Sequence, residues 1–214
     1  MKRIRKSFVG SICLLAAFVL WTVVVCLVDV QAIGPQDSAV GLAELNLFVH
    51  SLTGVHFDLY NITDWLGFVP IFACIGFGVL GLLQWIMRKS IRKVDFDLLV
   101  LGGFYIITIA AYCFFESVVI NYRPVLINGC LEASYPSSTT MLVLCVMPTA
   151  IMQFNNRIKN RVCRSVVSFT ISAFIAFMVI GRLVSGVHWF TDIVGGALLS
   201  AGLVMMYDWV SRVQ

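Results

Sequence analysis

Six apolar runs, at residues 8–30, 65–87, 98–120, 139–154, 165–180 and 193–210, restrict this chain more than any other feature of its sequence. A helix needs about 20 apolar residues to cross the roughly 30 Å hydrocarbon core of a bilayer. Four runs reach or approach that length, and the fourth and fifth are expected to be short or tilted. Only 12% of the residues are charged, against about 25% in soluble domains, and the mean hydropathy is +0.94. The expectation is an all-α polytopic bundle of six transmembrane helices forming one integral-membrane domain over residues 1–214.

The first run has the basic flank of a secretory signal, Lys2, Arg3, Arg5 and Lys6, and Val30-Gln31-Ala32 faintly resembles a cleavage site. Its apolar stretch is longer than the 7–15 residues of a signal peptide, so it reads as an uncleaved anchor. Orientation follows from the 15 basic residues, because Lys and Arg in short connections collect on the cytoplasmic side. Thirteen of them fall on alternate connections: the N-terminus, 88–93, 157–164 and Arg212. Both termini are therefore expected in the cytoplasm. Arg123 and Arg182 remain, and both fall on the extracytoplasmic side. The net charge of +4 is accordingly a topology signal rather than a sign of nucleic-acid binding.

Of the seven cysteines, Cys130 alone faces outward, which disfavours an intramolecular disulfide, and no spacing resembles a zinc site. The longest outward connection, 33–64, contains Leu42, Leu45, Phe48, Val49 and Leu52 at helical spacing, one side of an interfacial helix over 39–52. Tyr60 and Trp65 suit the headgroup region. Asn61-Ile62-Thr63 matches a glycosylation acceptor, a short pattern with meaning only where that machinery exists. Near the end of the chain, Tyr207 reads as an interfacial anchor and Asp208 as a cytoplasmic surface charge.

Ionisable residues at membrane depth are costly and usually serve a function. His188 and Asp192 are four apart, within reach on one helical face. Asp192 could thus accept a hydrogen bond from one imidazole nitrogen and leave the other free as a nucleophile or base. Arg182 and Arg123 supply planar donor forks suited to phosphate oxygens. The chain is thus expected to carry an extracytoplasmic phosphate site centred on these four residues.

At these residues the sequence resembles the membrane-bound type 2 phosphatidic acid phosphatases, a family that includes lipid phosphate and polyprenyl diphosphate phosphatases and shares a core with vanadium haloperoxidases. The family pattern is Lys, six residues, Arg-Pro; then Pro-Ser-Gly-His; then Ser-Arg, five residues, His, three residues, Asp. The third part stands here as Gly181-Arg182, His188 and Asp192 with its spacing intact. The resemblance implies that His188 attacks phosphorus to give a phosphohistidine and that Asp192 orients it. It also implies that Arg182 and Arg123 hold the phosphoryl oxygens, that Ser137 contacts phosphate, and that neither metal nor cofactor takes part. Ser138 and Thr139 join the expected phosphate-binding set.

Two parts depart from the pattern. Glu116 stands where the family has Lys, and its expected role is an ion pair with Arg123, since a buried unpaired charge is costly. Pro136-Ser137-Ser138-Thr139 replaces Pro-Ser-Gly-His, so Thr139 occupies the position of a general acid that a hydroxyl cannot replace near neutral pH. His50 or His56 could fold over to restore that group.

The resemblance implies a phosphatase or phosphotransferase acting on a phosphorylated or diphosphorylated lipid at the outer leaflet, with that lipid and the bilayer as partners. A bacterial plasma membrane is the expected setting. The competing reading is a non-catalytic relative that binds or moves phosphorylated lipid. The haloperoxidase branch sits poorly with a chain that is mostly membrane.

Overall fold

In the computed structural model, which describes residues 2–213, six helical stretches are long and apolar enough to cross a membrane. They are α1 (Lys2–Leu27), the near-continuous pair α3 (Phe57–Leu66) and α4 (Phe68–Arg88), α5 (Phe96–Ser117), α6 (Ser138–Arg157), α7 (Arg161–Val184) and α8 (Phe190–Arg212). Between α1 and α3 lie the two-residue strands β1 (Gln31–Ala32) and β2 (Ala39–Val40), paired antiparallel, and the short helix α2 (Ala43–Thr53). The chain is thus an all-α polytopic membrane bundle.

The fourth and fifth spans, expected to be short, have 20 and 24 residues, about 30 and 36 Å at 1.5 Å per residue. Their apolar runs are shorter than their helices because polar ends, such as Asn155 to Arg157 and Arg161 to Arg164, continue the backbone hydrogen bonding past the lipid. α6 is the least apolar span and the most buried, so its polar residues face protein rather than lipid. Gln153, for example, is fully buried and donates to the Tyr207 hydroxyl at 2.5 Å. Tyr207 is therefore an interior residue, not the interfacial anchor expected from its place near a helix end. Asp208 is tied to Ser7 Oγ at 2.8 Å and to Arg212 Nε at 2.6 Å.

α1 and α8 run antiparallel. Ser7 meets Asp208 at one end, and Trp21 Nε1 donates to the Thr191 carbonyl at 3.1 Å toward the other. Close approach along this seam needs small residues. A Cβ on Gly202 would stand 2.8 Å from Leu15 Cδ2. The start of α1 and the end of α8 therefore lie at one end of the bundle, together with the ion pairs Arg88–Asp95 at 2.8 Å and Arg157–Asp97 at 3.0 Å. The connections 28–56, 118–137 and 185–189 meet at the opposite end.

α2 covers that opposite end. The helix begins at Ala43 rather than at residue 39, because Ala39 and Val40 are engaged in the β-ribbon. Leu45, Phe48 and Leu52 point outward and are exposed, whereas Ala43 and Asn46 are buried. Asn46 Nδ2 donates to the Gly41 carbonyl at 2.9 Å and to Thr191 Oγ1 at 3.0 Å, and its Oδ1 accepts from Thr191 N at 3.2 Å. An apolar outer face over a polar inner anchor is the arrangement of a lid lying at a membrane surface.

Candidate functional site

Arg123 is placed by an irregular hairpin. Asn128 and Gly129 both have positive φ, 50° and 77°, the two-residue turn in which side chains other than Asn, Asp and Gly are disfavoured. Ile127 bridges Cys130 across it, and Tyr122 bridges Ala133 further down. Arg123 N donates to the Glu132 carbonyl at 3.0 Å, and Arg123 Nε lies 3.1 Å from Glu132 Oε2. The carboxylate partner of Arg123 is therefore Glu132 and not Glu116, the expected one. Glu116 sits instead near the end of α5, in the wall of a small crevice with Tyr112, Phe115 and Tyr135. A regular ladder from the Asn-Gly turn would set Val125 opposite Glu132; a slip of two residues brings Arg123 there.

Arg182, in the last turn of α7, is buried. Its Nη2 donates to Thr139 Oγ1 at 2.9 Å, and its Nη1 lies 3.4 Å from Thr63 Oγ1 and 3.6 Å from Asp64 Oδ1. The ring of Tyr60 lies under both arginines, with the guanidinium carbons of Arg182 and Arg123 at 4.9 and 5.8 Å from its centroid, within cation–π range. Tyr60, Thr63 and Asp64 had no expected place in the site. They recur at helical spacing on one side of α3, but the helix also carries Asp58 and Asn61, so spacing alone does not single them out.

His188 lies in the tight 185–189 connection, just before α8. Gly186 adopts φ of +65°, and a Cβ there would meet the Gly54 carbonyl, so glycine lets the lid segment close onto this loop. His56 N donates to the Ser185 carbonyl at 2.9 Å. The His188 ring is buried, and Arg123 Nη1 approaches its Nε2 at 3.4 Å. A guanidinium can only donate, so Nε2 carries the lone pair and Nδ1 the proton. Burial first, then the charges of Arg123 and Arg182, hold the imidazole well below its usual pKa of 6.5. The ring is neutral and its Nε2 points into the arginine cluster.

The expected Asp192–His188 hydrogen bond is absent, because Asp192 Oδ2 stands 3.8 Å from Nδ1, beyond hydrogen-bonding distance. His188 precedes the helix, so the two residues do not share a helical face. Asp192 occupies the first turn of α8, where its Oδ2 accepts from Trp189 N at 2.8 Å and its Oδ1 from Asn121 Nδ2 at 3.3 Å. It caps the helix and pins the His188 loop to the hairpin that carries Arg123, while Nδ1 faces the backbone of Ser134.

Ser137 precedes α6, with its N donating to the Asp192 carbonyl at 3.1 Å. Ser137 Oγ and Arg182 Nε are both buried without a hydrogen-bond partner, an arrangement that calls for an explanation where buried polar atoms are normally satisfied. The first amides of α6, from Ser138 onward, add the donors of a free helix N-terminus, suited to an anion. His50 and His56 do not stand in for the family's acidic histidine: their Nε2 atoms are engaged with the carbonyls of Gly186 at 3.2 Å and Thr53 at 2.9 Å. Among the described residues, no group of three or more His, Cys, Asp or Glu could hold a metal ion.

Beside Thr139 opens a cavity of about 540 Å³. Asp64, Ser138 and Thr139 line its polar end, and Phe68, Ile71 and Leu142 are among the residues that make the rest apolar.

Two buried arginines, a neutral imidazole and a helix N-terminus within a bundle of membrane helices bring together donors of the kind suited to an oxyanion. The chain belongs to the PAP2 superfamily, whose family model matches residues 104–213. It is similar to a crystal structure described as the first transmembrane PAP2 type phosphatidylglycerolphosphate phosphatase from Bacillus subtilis. The TM-score is 0.62 at 17% identity, over 96% of this chain and 98% of that one. No curated protein matches the chain.

Proposed function

We propose that this protein is a phosphatase or phosphotransferase that works through a phosphohistidine on a lipid phosphate or diphosphate, a polyprenyl diphosphate being the favoured substrate. The observation that carries this reading is the 3.4 Å approach of Arg123 Nη1 to His188 Nε2. It leaves the lone pair of a buried, neutral imidazole facing a cluster of phosphate-compatible donors. A phosphoryl oxygen entering between Arg123 and Arg182 would take over the arginine donor and release Nε2 for attack. Arg123, Arg182, Ser137, Ser138 and Thr139 are the phosphate-binding set, His188 is the nucleophile, and Asp192 holds it in place.

Membership of the PAP2 superfamily and the phosphatase named in the structural neighbour's description support hydrolase chemistry. The apolar cavity beside Thr139 supports a lipid substrate. With the termini in the cytoplasm, as the basic residues imply, the site opens at the outer leaflet, in a bacterial plasma membrane by this reading.

Thr139 favours diphosphates. Attack on a lipid monophosphate expels an alkoxide, whose conjugate acid is about as weak as water, and this needs a proton. Attack on the terminal phosphorus of a diphosphate expels a phosphate monoester, with a second pKa of about 6, which departs unaided. The same residue supports a second reading, a non-catalytic relative that binds or transports phosphorylated lipid. The two are separated by incubating purified protein and its His188→Ala variant with a polyprenyl diphosphate carrying ³²P on the terminal phosphorus. Acid-labile label on wild type alone, with phosphate release, supports the enzyme. Binding without release or labelling supports the carrier.

A further inference from the structure

Hydrolysis of a phosphohistidine needs a base for the attacking water, and the hydroxyls of Ser138 and Thr139 cannot act as one near neutral pH. Resting on the phosphatase reading above, we infer that Asp64 is this base, a catalytic residue contributed by the lid-side helix α3.

In-line displacement puts the leaving oxygen on the far side of phosphorus from His188. That oxygen carries the lipid, so it sits at the polar end of the 540 Å³ cavity, where Asp64, Ser138 and Thr139 form the wall. Asp64 and Thr139 flank one guanidinium: Asp64 Oδ1 lies 3.6 Å from Arg182 Nη1, and Thr139 Oγ1 lies 2.9 Å from Arg182 Nη2. The same arginine that would hold the phosphoryl group therefore holds a carboxylate at the leaving-group side. Gly67, at the α3–α4 junction, lies against the same wall, where a Cβ would be 3.6 Å from Thr139 Cγ2.

Other candidates face elsewhere. Glu132 is paired with Arg123, 3.1 Å from its Nε, and is not part of the cavity wall. His50 and His56 are engaged with backbone carbonyls. Asp192 is buried in the cap of α8. The Asp64 side chain is 55% exposed, which leaves room for a water beside it and a route for a proton to solvent.

In the first step the Nε2–P bond forms as the bond between phosphorus and the bridging oxygen breaks, and the lipid monophosphate leaves with that electron pair. Water then takes the vacated position. Its oxygen bonds to phosphorus, the P–Nε2 bond breaks, and the pair returns to the imidazole. One water proton passes to the Asp64 carboxylate and then to solvent, and inorganic phosphate departs. A carboxylate suits this step, and the departure of a diphosphate's leaving group asks for no acid.

The test uses purified full-length wild type, Asp64→Asn, Asp64→Glu and Glu132→Gln with a polyprenyl diphosphate labelled on its terminal phosphorus. Asp64→Asn is expected to release about one equivalent of lipid monophosphate per protein in a burst and to retain the label on histidine. Its steady-state phosphate release should fall by about 10²–10⁴-fold, the usual worth of a general acid or base. Asp64→Glu should recover part of that loss, and Glu132→Gln should accumulate no label. Wild-type steady-state turnover in Asp64→Asn overturns the assignment, as does accumulation in Glu132→Gln instead. Loss of both burst and label in the Asn and Glu variants alike also overturns it, since that marks a structural role. A wild type that neither takes up label nor releases phosphate overturns the phosphatase reading itself, a result distinct from all of these.

Discussion

Arg123 and His188, sixty-five residues apart, meet with Nη1 of the arginine 3.4 Å from Nε2 of the imidazole. The contact assigns the lone pair to Nε2 and places a permanent positive charge beside the ring, which has to stay neutral for the nucleophilic role proposed above.

The protonated ring cannot act as a nucleophile, so kcat/KM falls at acid pH as the ring titrates in the free enzyme. Burial, Arg123 and Arg182 push its pKa well below 6.5. A depressed pKa keeps the neutral form as pH falls, so the acid limb of wild type should lie clearly below 6.5. Arg123→Gln removes one of the two charges and should move that limb to higher pH. Profiles on a diphosphate substrate check this, and a wild-type limb at or above 6.5 contradicts it.

His188→Ala should reduce turnover to background and Arg182→Ala should lower kcat by about 10²–10³, the usual cost of removing one oxyanion donor. Membrane insertion should be unaffected, because neither residue lies in the apolar stretch that faces lipid. Asp192→Asn should impair activity less than His188→Ala, and Asp192→Ala should also lower stability by about 1 kcal/mol through loss of the cap. Turnover assays with thermal melts in detergent separate the effects. Wild-type turnover in His188→Ala would refute the nucleophile assignment.

A cytoplasmic reporter fused after Gln214 should be active and a periplasmic one silent. The start of α1 and the end of α8 share the end of the bundle that carries Arg88, Arg157 and Arg212, and such charges collect on the cytoplasmic side. The opposite result would move the site to the inner leaflet.

On matched lipids wild type should turn over the diphosphate faster than the monophosphate. Thr139→His should restore proton donation and raise monophosphate turnover, by as much as the roughly 10²–10⁴-fold that a general acid contributes. The Thr139 hydroxyl now accepts from Arg182 at 2.9 Å, so the variant also tests whether that bond is dispensable. A wild-type preference for the monophosphate would remove the diphosphate proposal.

What the sequence determined by itself is whatever depends on local composition and spacing. The six spans are legible because crossing lipid requires a contiguous apolar run, whatever packs against it. The lid helix is legible as an apolar stripe, and Arg182 and His188 stand out because charge and imidazole are rare in such a chain. Pairings were decided only in three dimensions. Glu132 reaches Arg123 through a two-residue slip in a hairpin whose turn, but not whose register, is written in Asn128-Gly129. Asp192 serves the α8 cap because the chain leaves the helix between Phe190 and His188, which no four-residue spacing reveals. Tyr60, Thr63 and Asp64 join the site because α3 packs against α7, more than a hundred residues away, and helix packing rests on shape and small residues that leave no contiguous mark. An ion pair or a cation–π contact forms across whatever surfaces the apolar core brings together, so its partners are set by the packing and not by the run of residues around each one.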